Sequence, residues 1–273
     1  MMAAASGHDG TTFRALITGA ASGIGRATAE RIARDRKCIL LLVDANESGL
    51  SEVARSLTSD RCAPHVMRAD LANSAHCAGV VSRAAETMGG IDALISVAGI
   101  VTPVPLADAQ VEDFDRAFAI NTRATWLLAR DAYPYLRSSR GSIVAVASIA
   151  ASHPAADLGF YSASKAAVSM LARQMADEWG SVGIRSNSVS PGAIRTPMTQ
   201  SSYGTEIGRA ARSRGVGLRR VGEPEEIAAV IAFLVSNDAS YISGDDVLVD
   251  GGMGAALLRV SRGTGESLTG ERR

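Results

Sequence analysis

The sequence predicts an α/β fold: a single domain built on a doubly wound parallel sheet with helices on both faces. Three observations carry this reading. Short apolar runs alternate with helix-length stretches through most of the chain, which is the signature of βαβ units. The run at residues 38–43 (Cys-Ile-Leu-Leu-Leu-Val) is apolar throughout, as a strand covered on both faces should be. The 273 residues show neither an internal repeat nor a composition break, and one large α/β core accommodates them.

The elements follow in order. A strand at Phe13–Thr18 leads through a glycine-rich turn into a helix from about residue 23 to 36. The apolar strand 38–43 is followed by a polar helix at Glu47–Leu57 and a weak strand at 65–68. A helix at Ser74–Met88 takes Asn73 or Ser74 as its cap. Strands at 93–97 and 142–147 flank a long helical region, 111–136. A strong helix, 160–179, precedes a strand at 185–189. From Pro191 to Val221 the period is lost, and the chain carries Arg209, Arg212, Arg214, Arg219 and Arg220. A loop of that length inside a domain is a lid or a binding loop. Glu223-Pro224-Glu225 opens a last helix to about Val235, since proline and acids suit a first turn, and a final strand spans 247–249. The domain is thus 13–254, with a flexible N-terminus, 1–12, and a polar tail, 255–273.

Composition narrows the function classes. Hydrophobic residues at 47% and charged residues at 21% exclude a disordered chain. Lys plus Arg equals Asp plus Glu at 28 each, so the basic excess of a nucleic-acid binder is missing. The 27 glycines, roughly ten per cent against a usual ~7%, point to tight turns near a ligand. Cys38, Cys62 and Cys77 are odd in number and fit neither a zinc ribbon nor a CxxC pair. They read as buried free thiols, which suits a reducing compartment. Residues 1–12, with no basic residue and no apolar h-region, do not read as a signal or transit peptide, and no apolar run nears the ~20 residues of a bilayer span. The expectation is a soluble, cytoplasmic protein that binds neither membrane nor nucleic acid.

The turn Thr18-Gly19-Ala20-Ala21-Ser22-Gly23-Ile24-Gly25 lies between a strand and a helix. Its glycines let the backbone approach a pyrophosphate closely, and the helix start offers free N–H groups to that anion. Asp44, nineteen residues beyond Gly25 at the end of the next strand, completes a dinucleotide-binding pattern. Tyr161 and Lys165, four apart on a helix, share a face. A phenol titrates near pH 10, and a nearby ammonium can lower that by ~1–3 units and fit it for proton transfer. Alone, such a pair would be an ordinary surface feature. Ser148, however, ends a strand thirteen residues upstream, at the edge where the dinucleotide lies.

The Gly19-x3-Gly23-x-Gly25 spacing resembles the Thr-Gly-x3-Gly-x-Gly signature of the short-chain dehydrogenase/reductase family, whose fold is a single Rossmann-type domain. Ser148 and Tyr161-x3-Lys165 match the family's catalytic group, and Asn121 in Ala119-Ile120-Asn121-Thr122 matches its upstream asparagine. The resemblance implies a role for each. Tyr161 moves the hydroxyl proton and Ser148 orients the substrate C–O. Lys165 lowers the tyrosine pKa and holds the nicotinamide ribose, while Asn121 anchors a water that relays protons. Asp70-Leu71 resembles the adenine-contacting pair. Asn187 to Gly192 (with Pro191), Ile194 and Thr196 resemble the segment that holds the carboxamide, and Ser243-Gly244 and Asp250-Gly251-Gly252 the C-terminal signature. One departure is Ser96-Val97-Ala98-Gly99, where the family usually reads Asn-Asn-Ala-Gly. Ala98 and Gly99 still allow close approach to the cofactor, so local stability is in question more than activity.

His8, His65 and His76 have no partner at metal spacing, so no metal is expected. His153, between Ser148 and Tyr161, is a candidate for the substrate pocket, and Trp126 and Trp179 are read as packing residues. The expected function is an NAD-dependent oxidoreductase interconverting a secondary alcohol and its ketone, acting on a small molecule as a homotetramer or homodimer. A 3-oxoacyl-thioester reductase is the alternative, drawing on the loop arginines. A dinucleotide-sensing protein without turnover is the reading from another class.

Overall fold

The computed structural model describes residues 12–256; the expected N-terminal extension and the tail from residue 257 lie outside the described residues. The strands are β1 (Phe13–Thr18), β2 (Cys38–Asp44), β3 (Cys62–Arg68), β4 (Ala93–Ser96), β5 (Ser142–Val146), β6 (Arg185–Pro191) and β7 (Asp246–Val249). All pair in parallel, in the order β3-β2-β1-β4-β5-β6-β7. Helices α1 (Gly23–Asp35), α2 (Glu47–Leu57), α3 (Ser74–Met88), α4 (Val111–Phe118), α5 (Ala124–Ser139) and α6 (Tyr161–Trp179) make the crossovers. After β6 come two short helices, α7 (Gln200–Tyr203) and α8 (Glu206–Ser213), and then α9 (Pro224–Leu234).

The apolar run of β2 is buried on both faces, as its composition requires. Leu40 and Leu42 join the core beneath α1, α2 and α9, while Leu41 and Val43 join the core beneath α3 and α5. Each such side chain contributes about 1.5–3 kcal/mol on burial. The strand order reverses its direction of growth at β1 and β4, and in open parallel sheets ligands bind outside the strand C-termini at that point. The glycine turn lies there.

Boundaries differ from the sequence reading where tertiary contacts decide them. Strand β3 starts at Cys62 rather than 65, because an edge strand tolerates Pro64. The helical region 111–136 extends to Ser139 and is divided by a π turn, Ala119–Arg123, that contains Asn121. The 191–221 segment is not a bare loop. It holds α7 and α8, and Tyr203, Val216, Val221 and Ala193 form a small core of their own with Met253 against it. Trp179 packs edge-on to Tyr133, but Trp126 is 42% exposed beneath the Arg130 guanidinium and is not a core residue. The three cysteines are free and buried, as read. Among the described residues no helix is long and apolar enough to cross a membrane.

Candidate active site

The glycine turn forms one wall of a cleft at the strand C-termini. Gly19 has a positive φ of 67°, and a Cβ there would stand 2.9 Å from the Ala98 nitrogen. A side chain on Gly25 would collide with the Gly19 carbonyl. Thr18, fully buried at the end of β1, accepts from the backbone N–H of Val97 (3.1 Å) and of Ala98 (3.2 Å). The loop after β4 is therefore knitted to β1 by a hydroxyl, and the Val97 side chain packs against the core. This accounts for how the site tolerates an apolar residue at 97.

Helix α1 begins without local satisfaction of its N-terminus. Ser22 makes no side-chain capping bond and the first turn holds no acid. Free N–H groups and the positive end of the helix dipole thus face the cleft at Ser22, Gly23 and Ile24. That is chemistry suited to an anionic group, so the residues fit a dinucleotide pyrophosphate. Asp44 lines the same cleft at the end of β2. Its carboxylate accepts from the Ala21 N–H at 3.1 Å and the Asn46 N–H at 3.0 Å, which fixes its orientation.

The opposite wall carries the titratable group. Tyr161 is the first residue of α6, and Lys165 follows one turn later, its Nζ 5.9 Å from the phenol ring centre. Lys165 is 3% exposed, and Nζ donates to the Val146 carbonyl at 2.7 Å. Burial without a carboxylate partner pulls its pKa down to about 8. Burial also raises the Tyr161 phenol above its ordinary value; hydrogen bonding to Ser148 opposes the rise and the Tyr203 hydroxyl adds to it. In this structure, then, burial dominates the phenol's shift, and the net lowering expected from Lys165 does not appear. Ser148, 8% exposed, directs its hydroxyl into the cleft while accepting from the Ala150 N–H at 3.1 Å. Gly99 leaves room beside these groups, since a Cβ there would lie 3.0 Å from the Lys165 Nζ.

Asn121 sits at the π turn, buried, and fastens the loop after β4. Its Oδ1 accepts from the Ile100 N–H (2.7 Å), and its Nδ2 donates to the Ile100 carbonyl (3.0 Å) and the Ser164 hydroxyl (2.9 Å). The extra residue of the π turn is what aims it there, and π turns recur at functional sites. Pro191, Gly192, Ile194 and Thr196 line the cleft's remaining side with Ala98 and Gly99.

Five sequence candidates do not line the cleft: Thr18 and Asn121 are buried beside it, and Asp70, Leu71 and His153 fall elsewhere. Leu71 is 6% exposed and packs in the core beneath α3, and its neighbour Asp70 is exposed, accepting from the Ala72 N–H at 3.0 Å. Neither lines the cleft. His153 is also exposed and off the cleft, its Nδ1 2.9 Å from the Ser152 hydroxyl. Sequence reasoning passed over Val97, Pro197, Met198 and Thr199, which line the cleft, and Tyr203, which faces Tyr161 from α7. The step from Thr196 into Pro197 was the one available signal, a proline in the first turn after a threonine cap.

Residues 19–254 match a family model described as Enoyl-(Acyl carrier protein) reductase. The meso-2,3-butanediol dehydrogenase of Serratia marcescens is 34% identical over 242 residues, covering 88% of this chain and 94% of that protein. The chain belongs to the short-chain dehydrogenase/reductase family. Another member, the cyclopentanol dehydrogenase of a Comamonas species, is 34% identical over 87% of this chain and 95% of its own. The crystal structure of levodione reductase superposes with a TM-score of 0.83 at 35% identity, covering 89% of this chain and 98% of that one. A short-chain dehydrogenase from Burkholderia cenocepacia in complex with NADP gives 0.82 at 29% identity, over 89% and 98%. Members of this family are oxidoreductases that bind a nicotinamide dinucleotide.

Proposed function

We propose that the protein is an NAD-dependent dehydrogenase that interconverts a small secondary alcohol and its ketone. One observation carries the reading: Ser148, Tyr161 and Lys165 converge on the cleft that the glycine turn and Asp44 also line. A nicotinamide dinucleotide bound there supplies the hydride acceptor or donor. Tyr161 exchanges the proton with the substrate oxygen, and Ser148 holds that oxygen by a hydrogen bond. A phenol raised by burial is suited to protonating a developing alkoxide. In the oxidative direction, the buried Lys165 is the cation placed to stabilise the phenolate. Asp44, with its carboxylate held by two N–H groups, supports NAD, whose ribose hydroxyls donate to it. The butanediol and cyclopentanol relatives support a secondary alcohol as substrate.

The family model's description and the arginines after β6 favour a carrier-bound thioester as the second reading. Three of those five arginines are engaged within the protein. Arg209 donates to the carbonyls of Tyr203 and Gly204, Arg219 to that of Arg214, and Arg220 pairs with both oxygens of Glu226. We therefore rank the thioester second. For the assembly we propose a homotetramer or homodimer, which would cover exposed apolar residues such as Trp126 on α5 and Met170 on α6.

NADH formation, followed with NAD and a panel of diols, cyclic alcohols, sugars and hydroxysteroids, tests the proposal. Turnover of at least one is expected. Tight NAD binding without turnover of any would leave a dinucleotide sensor in its place.

A further inference from the structure

A second cleft, larger than the catalytic one, lies elsewhere on the molecule. About 880 Å³ opens at the opposite edge of the sheet, against about 300 Å³ at the active site. It is walled by strand beginnings, Phe13, Ser142 and Arg185, where the active site is walled by strand ends. Arg36, Lys37, Arg140 and Arg185 line it, with two acids, Asp35 and Asp92.

The acids are already neutralised from outside the cleft. Asp92 takes three hydrogen bonds from Arg14, two from its guanidinium, and Asp35 pairs with Arg31 at 2.6 Å. None of the four lining cations is ion-paired among the described residues. Arg185 is half-buried, and its guanidinium donates only to the carbonyls of Ile242 (3.3 Å) and Ser236 (3.1 Å). Two of a guanidinium's five donors are thus used, and three stay available to an acceptor.

The backbone is also arranged around a cation here. Arg140 ends α5 in the left-handed region, with φ 50° and ψ 45°, where glycine is the favoured residue. Gly183, at φ 90°, makes room for it, since a Cβ on Gly183 would stand 3.0–3.3 Å from the Arg140 side-chain carbons. A helix end that needs only to stop would carry a glycine. This one carries an arginine that lines the cleft. Tyr241, fully exposed at the rim, offers an aromatic face beside the charges.

We propose that this cleft binds a small organic polyanion, a molecule bearing two or more phosphate or carboxylate groups, at a site separate from the catalytic one. Four unpaired cations around a cavity of ligand size favour such a group by charge, and arginine forks match phosphate and carboxylate geometry. Basic residues past helix ends also offset helix dipoles, so the test must separate ligand binding from helix capping.

Arg140→Gly does so, because glycine suits the left-handed position and keeps the fold. Titration calorimetry on the full chain saturated with NADH, at constant ionic strength, would use tripolyphosphate, citrate and ATP as probes. Saturation with NADH keeps the probes off the pyrophosphate site. We expect saturable binding of at least one probe. Arg140→Gly and Lys37→Gln together should weaken it by roughly tenfold or more, with Tm and NADH affinity unchanged. ATP exceeding tripolyphosphate would add a ring on Tyr241, and citrate matching tripolyphosphate would mark a site for the anionic groups alone; either supports the polyanion site. No saturable binding of any probe, or equal binding by the double variant, overturns it.

Discussion

Lys165 donates its Nζ to the Val146 carbonyl at 2.7 Å, and this contact holds an ammonium inside the protein with no carboxylate beside it. The first prediction follows from its pKa of about 8. A lysine whose folded pKa lies below its unfolded value (near 10.4) penalises the folded state while both forms are protonated. The penalty is complete below about pH 8 and disappears as pH rises to about 10.5. At 1.36 kcal/mol per unit it amounts to about 3 kcal/mol. Chemical denaturation of wild type and Lys165→Met from pH 6 to 10.5 reads it directly. Wild type should gain on the variant as pH rises from 8, and the variant should be inactive throughout. A stability difference independent of pH would refute the buried-ammonium account.

Tyr161→Phe removes one hydroxyl with little change of volume. Proton-transfer groups contribute ~10²–10⁴-fold. The variant should fold, bind NAD with ordinary affinity and lose at least that much in kcat. If it kept more than a tenth of wild-type kcat on the best substrate (roughly 1.4 kcal/mol of barrier), Tyr161 would not be the proton donor.

How much of this was legible in the sequence depends on whether the signal was local. Two-face burial of β2 is written in an unbroken apolar run, and the Tyr161–Lys165 spacing fixes a shared helix face whatever surrounds it. The π turn at Asn121 is different. Ala119 to Arg123 reads as ordinary helix, and the inserted residue is set by contacts to Ile100 and Ser164, distant in sequence. The 191–221 segment hid its helices for another reason: α7 and α8 are short, and what holds Tyr203 is the small core it forms with Val216 and Val221. Leu71 shows the limit of motif transfer. Its position in a motif suggests a ligand contact, but its side chain is claimed by the core, which leaves only its backbone to make one.

Thr18→Val is nearly isosteric and deletes the acceptor shared by the Val97 and Ala98 N–H groups. Each unsatisfied donor costs ~1–3 kcal/mol. For a domain of this size, ~2–4 °C of Tm per kcal/mol gives a fall of several degrees. Weaker dinucleotide binding should accompany it, because Gly19 and Ala98 meet across this junction. A Tm unchanged by Thr18→Val would show that the loop after β4 is held by other contacts.

The proposed coenzyme preference rests on Asp44, and the position of nearby cations bears on it. Lys37 precedes β2 at the far edge of the sheet, and Arg26 is paired with Glu30 and Glu52 at 2.9 and 2.8 Å. Arg68 is the neighbour: it is the register partner of Asp44 across β2 and β3, exposed, with Nε 3.4 Å from the Ala45 carbonyl. A 2′-phosphate beside Asp44 meets a repulsion of about 4 kcal/mol at ~4 Å and an effective dielectric near 20. Arg68 and solvent ions offset part of it. With ~2–3 kcal/mol remaining, discrimination is roughly 30- to 150-fold. We therefore expect kcat/KM with NAD to exceed that with NADP at least tenfold, by that estimate. Asp44→Ala should shrink the ratio, by weakening NAD and removing the repulsion. Arg68→Ala should widen it, because the cation that neighbours Asp44 across β2 and β3 is gone. Steady-state kinetics with both coenzymes on the three proteins decide the matter, and equal or better use of NADP by the unmodified chain would sink the assignment.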